Sequence, residues 1–251
     1  MAELIDLADK IKRYYRFTKY ELRGIIISLL VIAFIISFKE WGKDRFDILE
    51  GIYNLFNSVL IVALSILVHD GGQKIWALAS GFRVEYKMWS YGLLFGLILA
   101  FITNGNVWLI VPSGFMLHIL AGHRLGWFRY NMNVFAIGII AMAGPLFSMM
   151  LIIILKIISV FSPSVLIIKA IKFNIIYVLT SLLPIPPLDG SKLFFGSRML
   201  YAFTTPLIAI TSILMIVNIP IFLSIVISLL IAVILWFFYY VTFERKWWKG
   251  Y

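Results

Sequence analysis

Two short segments of the chain contain residue types that could do chemistry. The first reads His69-Asp70-Gly71-Gly72-Gln73 and so combines an imidazole, a carboxylate and an amide. On a helix His69 and Gln73 share a face, because residues four positions apart lie one above the other, and Asp70 lies beside them. An imidazole with a nearby carboxylate can bind a metal ion or transfer a proton. This segment is therefore the first candidate site.

The second segment runs from Ser181 to Gly190 and reads Ser-Leu-Leu-Pro-Ile-Pro-Pro-Leu-Asp-Gly. Its prolines remove backbone donors and prevent a regular helix, and such a backbone is tolerated at membrane depth only where protein or a wet cavity surrounds it. Two structural interpretations stay open. His69 could be a histidine at a helix end, stabilised by the helix dipole. Asp189 could be a turn residue or the N-cap of a helix that begins near Ser191.

Both segments belong to a very apolar chain. Of its 251 residues 62% are hydrophobic and 14% are charged, which leaves too little polar surface for a soluble globular protein. The absence of cysteine excludes disulfide bonds, cysteine-ligated zinc and thiol catalysis. The net charge of +10 is assigned to membrane topology, because Lys and Arg concentrate in the loops of one predicted side. We therefore expect the lipid bilayer, and no nucleic acid, as a partner.

Stretches without charge that are long enough to cross a bilayer predict an all-α polytopic membrane protein of about six transmembrane helices. The stretch from Met88 to Leu117 carries no charge and is too long for one span. A turn signal at 103–106 divides it into a helix to about Ile102 and a re-entrant hairpin or half-helix that ends near 112–114. The other expected spans are 24–38, 51–68, 133–160, 166–183, 201–219 and 221–243.

The distribution of charge also predicts the organisation of the chain. Residues 1–23 form a cytoplasmic amphipathic N-terminal segment, either a helix on the membrane surface or a plain extension. Residues 24–243 form the membrane domain and residues 244–251 a basic and aromatic cytoplasmic tail. The positive-inside rule predicts that both termini are cytoplasmic. Lys74, at the cytoplasmic end of the second span, is expected to extend its ammonium group to the interface.

The two segments, together with Ala143-Gly144-Pro145-Leu146-Phe147-Ser148, resemble the motifs of the site-2 protease family of intramembrane zinc metalloproteases, peptidase family M50. In that family one helix carries H-E-x-x-H, a later segment carries Gly-Pro followed by Asn, and a further one carries N-x-x-P-x-P-P-L-D-G. Ser181 to Gly190 is closely similar to the last of these motifs. The resemblance implies a site-2-protease-like core at about residues 51–200.

The resemblance also implies roles for single residues. In the family two His and one Asp bind zinc, and the Glu is the general base that activates the zinc-bound water. The retained ligand positions are His69 and Asp189, Gln73 takes the place of the second His, and Asp70 takes the place of the base. The implied substrate-binding positions are Gly144, Pro145, Ser148, Ser181, Pro186 and Pro187.

The departures from the family pattern fall on the chemistry. An amide is a poor zinc ligand compared with imidazole, so Gln73 weakens the metal site. Asp70 is one methylene shorter than Glu, which is enough for a base to miss its water. Ser148 and Ser181 also replace the family's Asn residues. We therefore predict a pseudoprotease that binds no zinc tightly and serves as a binding scaffold or complex subunit for a transmembrane protein partner.

Other outcomes stay open. A divergent active zinc metalloprotease that cleaves transmembrane substrates would need Asp70, His118, His123 or water to complete the ligand shell. Alternatively, His69 and Asp189 could pair directly as imidazolium and carboxylate. A transporter or channel is the third class, and it would need more membrane-embedded charges along a path than the sequence contains.

Overall fold

The computed structural model describes residues 2–42, 45–110, 113–120, 133–217 and 219–245. His123 and residues 246–251 of the tail lie outside the described residues. In chain order the elements are α1 (Ala2–Tyr14), α2 (Lys19–Ser37), α3 (Ile48–Ala79), β1 (Phe82–Met88), α4 (Ser90–Ile102), β2 (Ser113–Ile119), α5 (Val134–Phe161), α6 (Val165–Ser181), α7 (Asp189–Gly196), α8 (Arg198–Leu214) and α9 (Ile221–Tyr239), followed by a π-helical turn (Tyr240–Glu244).

Four of the described helices are long and apolar enough to cross a bilayer, which confirms the predicted class of membrane protein. They are α2, α3, α5, and α9 with its π-helical turn. The helices α4 and α8 are apolar but shorter. The expected count of about six transmembrane helices stays a prediction, as does the side of the membrane on which the termini lie.

Helix α2 begins at Lys19, five residues before the expected start of the first span. Thr18 caps this end: its Oγ1 accepts a hydrogen bond from the backbone N–H of Glu21, and the Glu21 carboxylate accepts one from the backbone N–H of Thr18. This capping box satisfies helix-end donors that would otherwise lack partners. The helix start therefore follows from local chemistry rather than from hydropathy.

Helix α3 is longer than the expected span 51–68 and continues to Ala79. His69 therefore lies inside a helix, and its interpretation as a helix-end histidine is wrong. The two glycines after Asp70 do not interrupt the helix. Gly72 has a packing role. A Cβ atom at Gly72 would lie 2.4 Å from the ring of Phe147, so only glycine allows α5 to approach α3 this closely.

A two-stranded antiparallel sheet is the main departure from the all-α prediction. Strand β1 pairs with β2, so that Val84 lies opposite Leu117 and Tyr86 opposite Phe115. The re-entrant hairpin or half-helix was expected to end near 112–114, where β2 begins at Ser113, so the hairpin itself stays a prediction. Buried Val84 and Tyr86 alternate with more exposed residues, which is the period of a strand packed on one face.

The apolar core lies between α2, α3, α5 and α6. Its fully buried side chains include Ile32, Val62, Ile152, Phe173 and Val178. Gln73 contacts Ile140 and His69 contacts Ser148, so the end of α3 lies beside the beginning of α5. Tyr177, near the end of α6, meets His69 at the same place. Strand β2 packs against this end, where a Cβ at Gly114 would lie 2.5 Å from the Pro187 carbonyl oxygen. All the predicted site segments meet here.

Candidate functional site

His69 is the centre of the site and joins three elements. Its side chain is buried, with Nδ1 2.8 Å from Oγ of Ser148 on α5. Its Nε2 lies 2.8 Å from Oδ2 of Asp189, the first residue of α7. The sequence reasoning left direct pairing of His69 and Asp189 as one alternative, and this pairing is what the structure contains.

The neighbours of His69 explain why the imidazole fits in a helical bundle. A Cβ at Gly144 would lie 2.5 Å from Nε2 of His69, so glycine is required at this position. The ring of Tyr177 on α6 meets the imidazole edge-on, with the ring centroids 5.0 Å apart. Pro145 is buried inside α5 next to this contact. The Gly-Pro element therefore shapes the space for the histidine.

Asp189 reaches His69 because the proline-rich segment turns the chain back into the protein. Pro186 is exposed, Pro187 is half-buried, and the chain becomes buried from Leu188 onward. The N-cap of α7 is Leu188, so the expectation that Asp189 caps a helix beginning near Ser191 is wrong. A carboxylate in the first turn is favourable to the helix dipole. Its side chain is then free to bind the imidazole.

Gln73 also contacts Asp189, through its nitrogen. Nε2 donates to the backbone carbonyl of Ile140 at 3.3 Å and to Oδ1 of Asp189 at 3.4 Å. Both of these neighbours are acceptors, so the amide N–H group must face them. The amide oxygen is the only atom of this side chain with a lone pair for a metal. Gln73 thus presents a donor where the family presents a ligand.

Asp70 does not join this cluster. Consecutive helical residues are about 100° apart around the axis, which turns Asp70 away from the face of His69 and Gln73. The side chain is 7% exposed, and its Oδ2 atom has no hydrogen-bond partner among the described residues. It lines a cavity between α2 and α3 instead. Asp70 therefore follows His69 in the sequence, as expected, but among the described residues no hydrogen bond joins it to His69, Gln73 or Asp189.

The remaining implied substrate positions are mostly closed. Ser181 donates its hydroxyl to the carbonyl of Val178 in its own helix, at 2.9 Å. Ser148 is bound to His69, and both Gly144 and Pro145 are buried. Of the six implied positions, Pro186 is exposed and Pro187 is half-buried in the described structure.

The other candidate ligands lie elsewhere. His118 is on β2, where its Nε2 is 3.3 Å from Oε2 of Glu85 on the neighbouring strand. His123 lies outside the described residues. Among the residues that the structure describes, no group of three His, Asp or Glu side chains is placed to hold a metal ion.

The described donor set is one ligand short of a catalytic zinc site. Catalytic zinc sites use three protein ligands and keep the fourth position for water. The cluster offers two side chains of the kinds that zinc takes, His69 and Asp189, and both direct their ligating atoms at each other. Gln73 adds an N–H group rather than a lone pair.

The order Ser148, His69, Asp189 has the connectivity of a hydrolytic triad, but the site lacks the other requirements. Such a serine must be reachable by substrate and must lie near donors for an oxyanion. Ser148 is 0% exposed, so its hydroxyl is not reachable by substrate. The chain of hydrogen bonds is therefore an internal link between α3, α5 and α7.

Two buried cations near the site have roles that sequence reasoning missed. Lys74 was expected to extend to the interface, but its Nζ lies 2.6 Å from Oε1 of buried Glu21 and over the ring of Phe17. Glu21 also accepts from the backbone N–H of Tyr86, at 2.9 Å. The ion pair thus ties α2, α3 and β1 together. No signal in the sequence marked this pair, because Glu21 stands among charged residues near the start of α2 and Lys74 is distant in the chain.

Lys192 connects α7 to β2 through a hydrogen bond and a cation–π contact. Its Nζ donates to the carbonyl of Phe115 at 2.6 Å and lies 3.3 Å from the centroid of the Phe115 ring. Burial lowers the pKa of Lys192 to about 8. Nothing in the sequence distinguished Lys192 from a surface lysine, since its partner is a backbone carbonyl distant in the chain.

Comparison with known proteins gives one informative relative. No protein-family model matches the chain, and no solved structure matches it. A curated protein of Methanocaldococcus jannaschii named "Putative zinc metalloprotease" is 27% identical over 193 residues, which cover 75% of this chain and 90% of that protein. This similarity supports a distant relationship to zinc metalloproteases.

Proposed function

We propose that this protein is a pseudoprotease: a membrane scaffold of the site-2 protease type that binds transmembrane segments, or serves as a subunit of a membrane complex, without cleaving peptide bonds. The observation that carries the proposal is the orientation of Gln73. Its amide N–H faces Asp189 at the position where the family has its second histidine ligand.

Two further contacts support the loss of catalysis. The ligating atoms of His69 and Asp189 form a hydrogen bond with each other, and Ser148 holds the other nitrogen of the imidazole. Asp70, at the position of the general base, lies on the adjacent face of α3. Zinc-dependent hydrolysis needs a full ligand set, an open position and a placed base. In the proposed pseudoprotease all three are compromised.

The proposal is tested by zinc per chain, measured on protein purified without chelator. The natural chain is compared with Asp189→Ala and with the double variant Asp70→Glu, Gln73→His. We expect little zinc in the natural chain and a clear gain in the double variant, because the new imidazole supplies the third ligand. Near-stoichiometric zinc in the natural chain that is lost in Asp189→Ala would overturn the proposal.

A divergent active zinc metalloprotease is the second candidate function. It is favoured by the near-intact proline-rich motif at 181–190 and by the name of the archaeal relative. In that case the natural chain should cleave a transmembrane substrate in liposomes, and Asp189→Ala should abolish the cleavage. Cleavage that survives Asp189→Ala would exclude this candidate, because a true ligand cannot be dispensed with.

A further inference from the structure

The exposed face of α2 has a charged end and an apolar remainder. Lys19 and Arg23 are one helical turn apart and both exposed. Ile26 and Leu30 are also exposed and continue the same face along the helix. The opposite face of α2 is buried in the bundle. We call these four exposed residues the α2 stripe.

The length of α2 gives the depth of the stripe. Its 19 residues extend over about 28 Å, close to the hydrocarbon thickness of about 30 Å, so this candidate span begins at one boundary of the hydrocarbon core. Lys19 stands at that boundary, and Arg23 can extend its guanidinium group back to it. Exposed Tyr20 is an aromatic residue of the kind found at this level. The cations of the stripe thus lie among lipid headgroups, and its apolar residues lie among acyl chains.

The two cations of the stripe have no counter-charge among the described residues. Asp6 and Asp9 of α1 each pair with a basic residue of their own helix. Glu21 lies between the two cations in sequence, but it is buried and pairs with Lys74. Like charges four residues apart on a helix repel each other. An anion bound between them would remove this repulsion.

Cations near the other end of α2 are engaged within the protein. Lys39 donates to Oδ1 of Asn106 at 2.8 Å, and Lys169 pairs with Glu40. The chain therefore supplies partners for these two lysines and leaves the cations at the start of α2 to the surroundings.

We propose that the α2 stripe binds an anionic phospholipid, with its phosphate and headgroup at Lys19 and Arg23 and one acyl chain along Ile26 and Leu30. Basic residues beside a membrane span attract anionic lipids. Exposed Arg16, three residues before α2, adds a third cation at the same level. A soluble acidic partner would match the charges but not the apolar half of the stripe. The inference concerns a surface away from His69 and goes beyond the proposed function.

The test measures which lipid lies beside the stripe, and single thiols can be introduced because the chain contains no cysteine. Ile26→Cys places a fluorophore on the stripe. Leu229→Cys is the control: it lies on the exposed face of α9, within the segment 199–244 that has no Lys or Arg. The full chain is reconstituted in phosphatidylcholine vesicles with a small fraction of phosphatidylglycerol or phosphatidylcholine that carries a nitroxide quencher in its acyl chain.

We expect phosphatidylglycerol to be enriched about 5-fold over phosphatidylcholine beside position 26, the ratio that attraction to one basic residue near the surface gives. Position 229 should show a ratio near one. The double variant Lys19→Gln, Arg23→Gln should lower the ratio at position 26 to that of position 229. The variant Lys156→Gln, Lys172→Gln removes the same charge elsewhere and should keep the enrichment.

Three outcomes would overturn the inference. The first is equal quenching by the two lipids at position 26. The second is an enrichment that survives Lys19→Gln, Arg23→Gln or that is equal at position 229, because the net charge of the whole chain would then attract the lipid. The third is an enrichment that does not fall when the salt concentration is raised, since salt screens exposed charges. If hexaglutamate changes the fluorescence at position 26 while the two lipids quench equally, the stripe binds acidic peptides and the lipid site is excluded.

Discussion

Two neighbouring faces of α3 carry buried polar side chains, and the two faces differ in how many of these side chains have a hydrogen-bond partner. On one face His69 and Gln73 point to α5 and α7, where both find partners. On the other face Lys74 finds Glu21 of α2, but Asp70 finds no partner in the described structure. On each face the two polar residues are four positions apart, so one helix contributes to two separate polar networks.

The two faces differ in the hydrogen-bonding capacity that their side chains leave unused. The positions that correspond to metal ligands are occupied by hydrogen bonds with each other, so this face is closed. The position that corresponds to the base lies on the neighbouring face, beside a cavity between α2 and α3. Both networks are buried, and the carboxylate of Asp70 is the one with unused hydrogen-bonding capacity among the described residues.

The largest effect is expected from breaking the ion pair of Glu21 and Lys74. Removing one partner leaves the other charge buried and unpaired, so Glu21→Ala should lower the free energy of unfolding by about 3 to 5 kcal/mol. Unfolding in mixed micelles measures it. Glu21→Gln, which keeps an acceptor for the backbone of Tyr86, should lose less than Glu21→Ala. Equal losses would show that the charge contributes nothing.

On the neighbouring face of α3, His69 and Gln73 both contact Asp189 of α7, and Asp189→Ala removes this acceptor. Leaving these buried donors without a partner should lower the free energy of unfolding by about 1 to 3 kcal/mol. The matched control is Asp189→Asn, which retains an acceptor oxygen and should be milder. If Asp189→Ala unfolds like the natural chain, the hydrogen bond to His69 is not formed in the membrane protein.

Asp70→Asn should act in the opposite direction. Because Oδ2 of Asp70 has no partner, removing the charge should raise the free energy of unfolding by about 1 kcal/mol or leave it unchanged. Asp70→Asn and Asp189→Asn both replace a carboxylate by an amide, one in each network. The measurement is the difference between the melting temperatures of the two variants. A loss of stability in Asp70→Asn as large as that in Asp189→Asn would mean that Asp70 is partnered after all.

The smallest effect is a pH dependence from Lys192. Burial lowers its pKa to about 8, below the value of about 10.4 for an unfolded lysine. Between these values the unfolded chain binds more protons, so the stability should rise as the pH increases from about 8 towards 10. Melting temperatures at pH 7.5 and 9.5 test the direction. Lys192→Gln should flatten this slope, and an unchanged slope would assign it to another group.

Part of the site could be predicted from the sequence because its residues are unusual where they stand. A histidine and an aspartate at membrane depth, and three prolines in ten residues, are costly unless they have a role, so His69 and Asp189 were found by type and spacing. Glu21 and Lys192 were missed because their partners are distant in the chain. The length of α3 was missed because two glycines usually weaken a helix.

The sequence by itself determined that this chain belongs in a membrane, because long uncharged stretches can satisfy their backbone only as helices in lipid. It also determined which side chains were candidates for chemistry. Only the tertiary structure decided that the nitrogen of Gln73 faces Asp189, that residues 113–119 form a strand, and that Asp70 lines a cavity between α2 and α3 rather than binding to the cluster around His69. These outcomes depend on which helices pack on each face of α3, and periodicity in one segment carries no information about its neighbours.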